Sequence, residues 1–340
     1  MTRPLTMNGS MRRAFTLVEM MIVVAVIAIL IGLLMPAIQS ARESARLGQC
    51  RNNVRQMALA CLQHEASEGF FPMGTKWYGF TADADLGNGK TTVVTPDYPA
   101  GEIQRGSWQY NILPFMDYLQ VHEYGLGTSG LTKRQWNSRM VGVVIPTYAC
   151  ASRTDSRIFT GGWYTGADAA TWPGYVQRSD FNYSRGAPDG IGIAAMRFTH
   201  QVTDGLSNVF LLGHRFLNPL EYNGPGIACN DGGWTQGRDW DHMGYTGSNN
   251  PLLGNVALDL PPGRNYNPLQ DTVVVHSCGI LPAMPWTWSY PLGTRFGSPH
   301  AVLPMAMADG SVQSIDYLIS KSIFHTLGNV ADGGVLPLAP

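Results

Sequence analysis

Ser207, His300 and Asp309 would supply a nucleophile, a general base and an orienting acid, the three roles that hydrolysis by acyl transfer requires. No serine sits in a G-x-S-x-G elbow, the strained turn that exposes such a nucleophile, so catalysis is not expected of this chain. A second group is acidic: Asp231, Asp239, Asp241 and His242 crowd into the segment CNDGGWTQGRDWDHMG. Hard cations want regularly spaced oxygens around a glycine-turned loop, and D-x-D-H lacks that frame, so the stretch reads as a solvated loop. Five cysteines stand at 50, 61, 150, 229 and 278. With neither C-x-x-C nor H-x-x-x-H present, no zinc site and no cofactor is expected.

The elements that would carry these residues begin with one carboxylate in an apolar run. Glu19 is followed, from Met20 to Ile38, by 19 positions without a charge. An α-helix needs about 20 apolar residues to cross a hydrocarbon core of roughly 30 Å, so the segment can span a membrane. Arg12 and Arg13 precede it, which places the N-terminus inside and everything beyond Arg42 outside. The residues after the run, PAIQSARESA, hold no A-x-A cleavage pattern and no cysteine to accept lipid. A carboxylate at a membrane helix end costs free energy unless something pairs with it. Beyond the run, Leu47, Cys50, Val54, Met57 or Ala58, and Cys61 recur at steps of three and four, so one helix should continue from Phe15 to about Ala66. At 1.5 Å per residue it would be about 75 Å long. Glu68, Gly69 and Pro72 mark its stop.

The rest of the chain has the composition of a loop-rich exported head. Charged residues make up 14% of the chain, against about 25% in typical domains, while 39 Gly and 22 Pro favour turns. Candidate strands are 91–94, 140–145, 190–198, 209–213, 272–276, 301–308 and 311–315. The Ala-Asp-Gly at Asp309 and Gly310 reads as a tight hairpin turn between the last two. Short helices are expected over 112–119 and 317–327, the latter with Ser320, Lys321 and Ser322 as a polar face. The fold class is therefore α+β: a long N-terminal helix packed on a large, mainly antiparallel β head. Exposed aromatic patches could include Trp163, Tyr164, Trp172, Trp286, Trp288 and Tyr290, although core packing accounts for most such residues.

The order of basic leader, small residue, Phe-Thr-Leu-Val-Glu and long apolar run resembles the prepilin-type processing and methylation motif of type IV pilins and pseudopilins. The resemblance implies that a prepilin peptidase cuts between Ala14 and Phe15, that the Phe15 amine is N-methylated, and that Glu19 neutralises the amine of a neighbouring subunit. It also implies an assembly role for Pro36, since pilin-like helices commonly carry a proline at about this distance from the cut. Ala14 stands where the family usually has Gly, which keeps a small side chain at the cut. On this reading 1–14 is the leader, 15–66 the long helix with its membrane part over about 15–38, and 67–340 the extracytoplasmic head. Removing Arg3, Arg12 and Arg13 with the leader takes the net charge from -1 to -4, and an acidic exported head does not seek nucleic acid.

The head resembles the DUF1559 family along nearly its whole length. CRNNVRQMALACLQHEASEGFFP from Cys50, SWQYNILPFMDYLQ from Ser107, IPTYACAS up to Ser152, FNYSRG around Asn182, TDGLSNVFLLGH from Thr203 and FGSPHAVLPMAMADGSV from Phe296 match its landmarks in order. Asp204, Gly205, Ser207 and Asn208 fall on one signature, and His300, Asp309 and Gly310 on the family's His-x9-Asp-Gly signature. Eight residues, not nine, separate His300 from Asp309 here, and His214 stands where the family has an acid. Asp-Gly supplies the positive φ of tight turns, so both Asp-Gly pairs and His300 read as structural. An exported domain favours disulfides. We expect Cys50 with Cys150, because both fall on family landmarks, and Cys229 with Cys278. Cys50 and Cys61 lie about 16 Å apart along one helix and cannot bridge each other.

These resemblances imply a non-enzymatic pilin-like envelope protein, anchored in the inner membrane and assembled with itself or other pilin-like subunits in a type II secretion or pilus machine or a surface filament. The other reading is a membrane-tethered extracytoplasmic module that binds a solute or glycan and does not polymerise.

Overall fold

A computed structural model describes residues 15–73, 106–129, 142–153, 175–186, 196–217 and 295–331, with short pieces between them. The chain divides into two compact units, Met1–Ala45 and Arg46–Pro340. Helix α1, Leu17–Glu68, runs from the first into the second. Its start is a capping box: the Thr16 amide donates to Glu19 Oε2 at 2.8 Å, and the Glu19 amide donates to Thr16 Oγ1 at 3.2 Å. The helix passes through Pro36 and ends two residues beyond the predicted Ala66, where Gly69 turns left-handed at φ 86° and its amide reaches the Glu65 carbonyl.

In the first unit the apolar side chains of α1 are exposed, Leu17 to 75% and Leu33 to 72%. It is the helix, among the described residues, that is long and apolar enough to cross a membrane.

In the second unit Cys50, Val54, Met57, Ala58 and Cys61 form the predicted buried stripe, joined by Asn53, Ala60 and His64. The short elements that follow are α2, Trp108–Asn111, a 3-10 turn at Leu113–Met116 and α3, Leu119–His122. The single helix expected over 112–119 is thus broken, because Pro114 permits only a short 3-10 piece and Asp117 closes it at φ 65°. Strands β1 (Phe159–Thr160) and β2 (Tyr175–Val176) form a small antiparallel ladder. Strands β3 (Phe181–Gly186), β4 (Phe210–His214), β5 (Met243–Tyr245), β6 (Leu269–Gln270), β7 (Gly297–Ser298), β8 (Leu303–Met307) and β9 (Val312–Ile315) follow, then α4, Lys321–Thr326. The main sheet has the order β5-β3-β4-β8-β9, antiparallel except for the β3–β5 pair, and β6 pairs with β7 in parallel.

Alternation along β8 shows how the sheet is covered. Ala306 and the following Ala308 join a core cluster with Val54, Met57 and Cys61 of α1 and Phe181, Tyr183 and Leu212 of the sheet. Leu303, Met305 and Met307 join the opposite cluster, with Phe210, Phe296, Ile315 and, from α4, Phe324. Helices therefore cover both faces, which is why β4 and β8 are buried along their whole length.

The runs at 209–213, 301–308 and 311–315 are strands β4, β8 and β9 within a residue or two. The β8–β9 turn is the expected Asp-Gly hairpin: Gly310 has φ 82°, and Asp309 Oδ1 accepts from the Ser311 amide at 2.8 Å. A Cβ on Gly310 would lie 2.9 Å from Leu62 Cδ1 of α1. Gly310→Ala should therefore cost about 1–3 kcal/mol, read as a lowered unfolding midpoint against wild type.

The stretch 140–145 is not a strand. The side-chain amide of Gln177 donates to the Ile145 carbonyl at 2.7 Å, and its oxygen accepts the Ile145 amide at 2.5 Å, so a side chain satisfies the backbone that a ladder would have used. In 190–198, Arg197 forms an isolated antiparallel bridge with Phe71, and positions 190 and 192–195 lie outside the described residues. The helix expected over 317–327 is confined to α4, since Ser320 caps it by accepting the Ile323 amide at 3.3 Å. The candidate strands 91–94 and 272–276 lie outside the described residues.

Candidate functional site

Two groups of residues in the structure can do more than fold the chain. The first is the start of α1. Besides the reciprocal amide bonds, Thr16 Oγ1 donates to Glu19 Oε2 at 2.8 Å. Both contacts use Oε2, and among the described residues Oε1 has no partner. Glu19 thus has a local reason to exist, the capping of its own helix, and a second oxygen to offer elsewhere.

The second group is buried in the head. Cys50 projects from the buried stripe of α1. Cys150 follows the 3-10 turn Pro146–Tyr148, His214 is the last residue of β4, and His300 lies in the turn between β7 and β8. Their ligand atoms all lie within 4.8 Å of one another. Cys50 Sγ and Cys150 Sγ are 3.0 Å apart, so the expected pair is brought together, but as two free thiols and not as a disulfide, and His300 Nε2 is 3.5 Å from Cys150 Sγ. Three of the four residues are wholly inaccessible, and His300 is 1% exposed. Among the described residues, neither ring nitrogen of His214 has a hydrogen-bond partner. Its ring packs against Phe181 and, edge to face, against His300.

Electrostatics sort the four groups. Burial, with Arg153 and His300 adding to it, holds the His214 imidazole neutral by pushing its pKa well below the ordinary value. The hydrogen bond between the thiols lowers the pKa of Cys50 and raises that of Cys150. Cys61, by contrast, is a fully buried thiol whose pKa burial raises far out of the working range. It packs as a small apolar residue.

Around the cluster runs a buried ion-pair network centred on Arg153. Its Nε donates to Asp271 Oδ2 at 2.9 Å, Nη2 approaches the same oxygen at 2.8 Å, and Nη1 reaches Asp180 Oδ1 at 3.1 Å. The Arg215 and Gly297 carbonyls accept from Nη2 as well. Although burial opposes its charge, the two carboxylates raise the Arg153 pKa well above the ordinary value. The carboxylates are in turn held: Asp180 Oδ2 accepts the Cys150 amide at 2.6 Å, and Asp271 accepts from Tyr222 Oη and the Leu217 amide. One arginine therefore ties the Cys150 turn to β3, β4, β6 and β7.

Ser207, His300 and Asp309 do not share an environment that would suit hydrolysis. Ser207 and Asp309 are exposed, whereas His300 is buried beside Cys150. Gly205 has φ 92°, Asp204 Oδ1 accepts the Gly333 amide, and the Asn208 side chain donates to the Asp204 carbonyl, so that signature is a braced turn. Cys229, Cys278, the acidic residues Asp231, Asp239 and Asp241 with His242, and the aromatic residues Trp163, Tyr164, Trp172, Trp286, Trp288 and Tyr290 lie outside the described residues, as does Ala14. Sequence spacing did not reveal the Cys50, Cys150, His214 and His300 group, because its members come from four separate segments. The available signal was that each of them falls on a different family landmark.

Two family models match the chain. One, described as a protein of unknown function, DUF1559, covers residues 39–322, and the other, the prokaryotic N-terminal methylation motif, covers residues 9–35. No curated protein and no solved structure matches it.

Proposed function

Because the chain belongs to the DUF1559 family and carries the N-terminal methylation motif of pilin-like proteins processed by prepilin peptidase, we propose that it is a non-enzymatic envelope subunit that works through its N-terminal helix. The peptidase cuts between Ala14 and Phe15, the new Phe15 amine is methylated, and the exposed segment 15–38 anchors the protein in the inner membrane. The head then lies on the extracytoplasmic side, and Glu19 pairs with the amine of another pilin-like subunit, of this chain or a related one.

The observation that carries this reading is the first turn of α1. Its carboxylate caps the helix through one oxygen while the next 19 positions offer only uncharged surface, so in lipid or among neighbouring helices Glu19 is the charged group an incoming ammonium can reach. The intact mass of the membrane-purified protein tests the processing step. We expect a mature chain starting at Phe15 with one added methyl group. An uncut chain would reduce the segment to a signal anchor.

A further inference from the structure

We propose that Cys50, Cys150, His214 and His300 bind one zinc ion in a closed, structural site inside the head. In a tetrahedral zinc site with two thiolate and two imidazole ligands, neighbouring ligand atoms stand about 3.3–3.8 Å apart. The four atoms here already lie within 4.8 Å of one another, with Cys50 and Cys150 at 3.0 Å and Cys150 and His300 at 3.5 Å. Shifts of about an ångström or less would complete the geometry.

A second, independent observation points to a ligand. His214 is wholly buried, yet among the described residues neither of its ring nitrogens has a hydrogen-bond partner. Buried polar atoms are nearly always satisfied, and ligation would satisfy one of these. Charge balance points the same way. Two thiolates in a buried pocket need two positive charges, and Arg153, a nearby cation, is already shared between Asp180 and Asp271. A dication with two thiolates and two neutral imidazoles sums to zero. Two soft sulfurs with two imidazoles select zinc over magnesium or calcium, which take oxygen ligands. Four protein ligands and no exposure leave no position for water or substrate, so the ion would act as a staple. It would join α1 to the Cys150 turn, the end of β4 and the turn ahead of β8.

The test uses the full-length protein extracted from membranes without chelator. Elemental analysis should find one zinc per chain, and His214→Phe or Cys50→Ser should lose it. His214→Cys, which supplies a different ligand, and Cys61→Ser, in the same helix but outside the cluster, should keep it. If the ligand variants fail to fold, wild-type protein exchanged with Co²⁺ still decides: intense thiolate-to-cobalt absorption with tetrahedral visible bands is expected. Wild-type protein without stoichiometric zinc and without the cobalt spectrum would overturn the proposal. So would a Cys50–Cys150 disulfide in protein as isolated, found by peptide mapping under non-reducing conditions.

Discussion

Replacing Arg153 with Met should destabilise the head by about 3–5 kcal/mol, the usual cost of removing one member of a buried ion pair. The guanidinium is wholly buried and engages two carboxylates and three backbone carbonyls, those of Asp180, Arg215 and Gly297. Removing it leaves Asp180 and Asp271 buried without the guanidinium that neutralises them. Asp180 also accepts the Cys150 amide and Asp271 the Leu217 amide, so the loss spreads to the turns on which the cysteine and histidine cluster is built. Arg153→Lys should recover only part of the stability, since an ammonium cannot reach both carboxylates with the planar fork that matches them. The check is the denaturant midpoint of the detergent-extracted protein. A loss below about 1 kcal/mol, the size of an exposed ion pair, would mean that the network is not desolvated as the structure places it. The triple replacement of Arg153, Asp180 and Asp271 by apolar residues should lose less than Arg153→Met alone, because no orphaned charge remains.

The second large effect concerns Glu19. Glu19→Gln should abolish assembly with other pilin-like subunits while leaving cutting and methylation intact. The capping box makes this substitution clean, because glutamine serves the same reciprocal bond to the Thr16 amide and only the charge changes. Glu19→Ala would remove cap and charge together and could not separate them. Crosslinking in membranes with a photoreactive residue near Phe15 reads the outcome directly. Wild-type crosslinking yield from the Gln variant would remove the assembly role and favour a tethered binding module that does not polymerise.

Much of this arrangement was legible in the sequence for physical reasons. The helix Leu17–Glu68 announces itself twice, by an uncharged run long enough for a bilayer and then by a stripe at steps of three and four. The β8–β9 hairpin is legible because Asp309 and Gly310 meet the demand of a tight turn for positive φ. Local patterns fail where a distant side chain takes over a local bond. Gln177 occupies the backbone of Ile145, and no pattern within 140–145 could foretell that. The cysteine and histidine group was hidden for a related reason: Cys50 and Cys150 stand 100 positions apart, whereas short-spaced ligand pairs are what a sequence can show. Arg153 gave no signal either, since an arginine in a loop reads as solvated until its partners are known.

If the head is extracytoplasmic, as proposed, the continuity of α1 limits how it could leave the membrane. Val54, Met57, Ala58 and Cys61 sit in the middle of the head's core, yet they belong to the same helix that begins at Leu17. The tether is thus also a structural beam of the cargo. A protease that sheds a folded head must cut ahead of this buried stripe, whose first member is Cys50. Cleavage at the helix end near Gly69, although sterically simpler at a turn, would pull a central column out of the core and release a chain that cannot hold its shape. Shed fragments recovered intact from the medium should therefore begin before Cys50, and the stub left in the membrane should be correspondingly short.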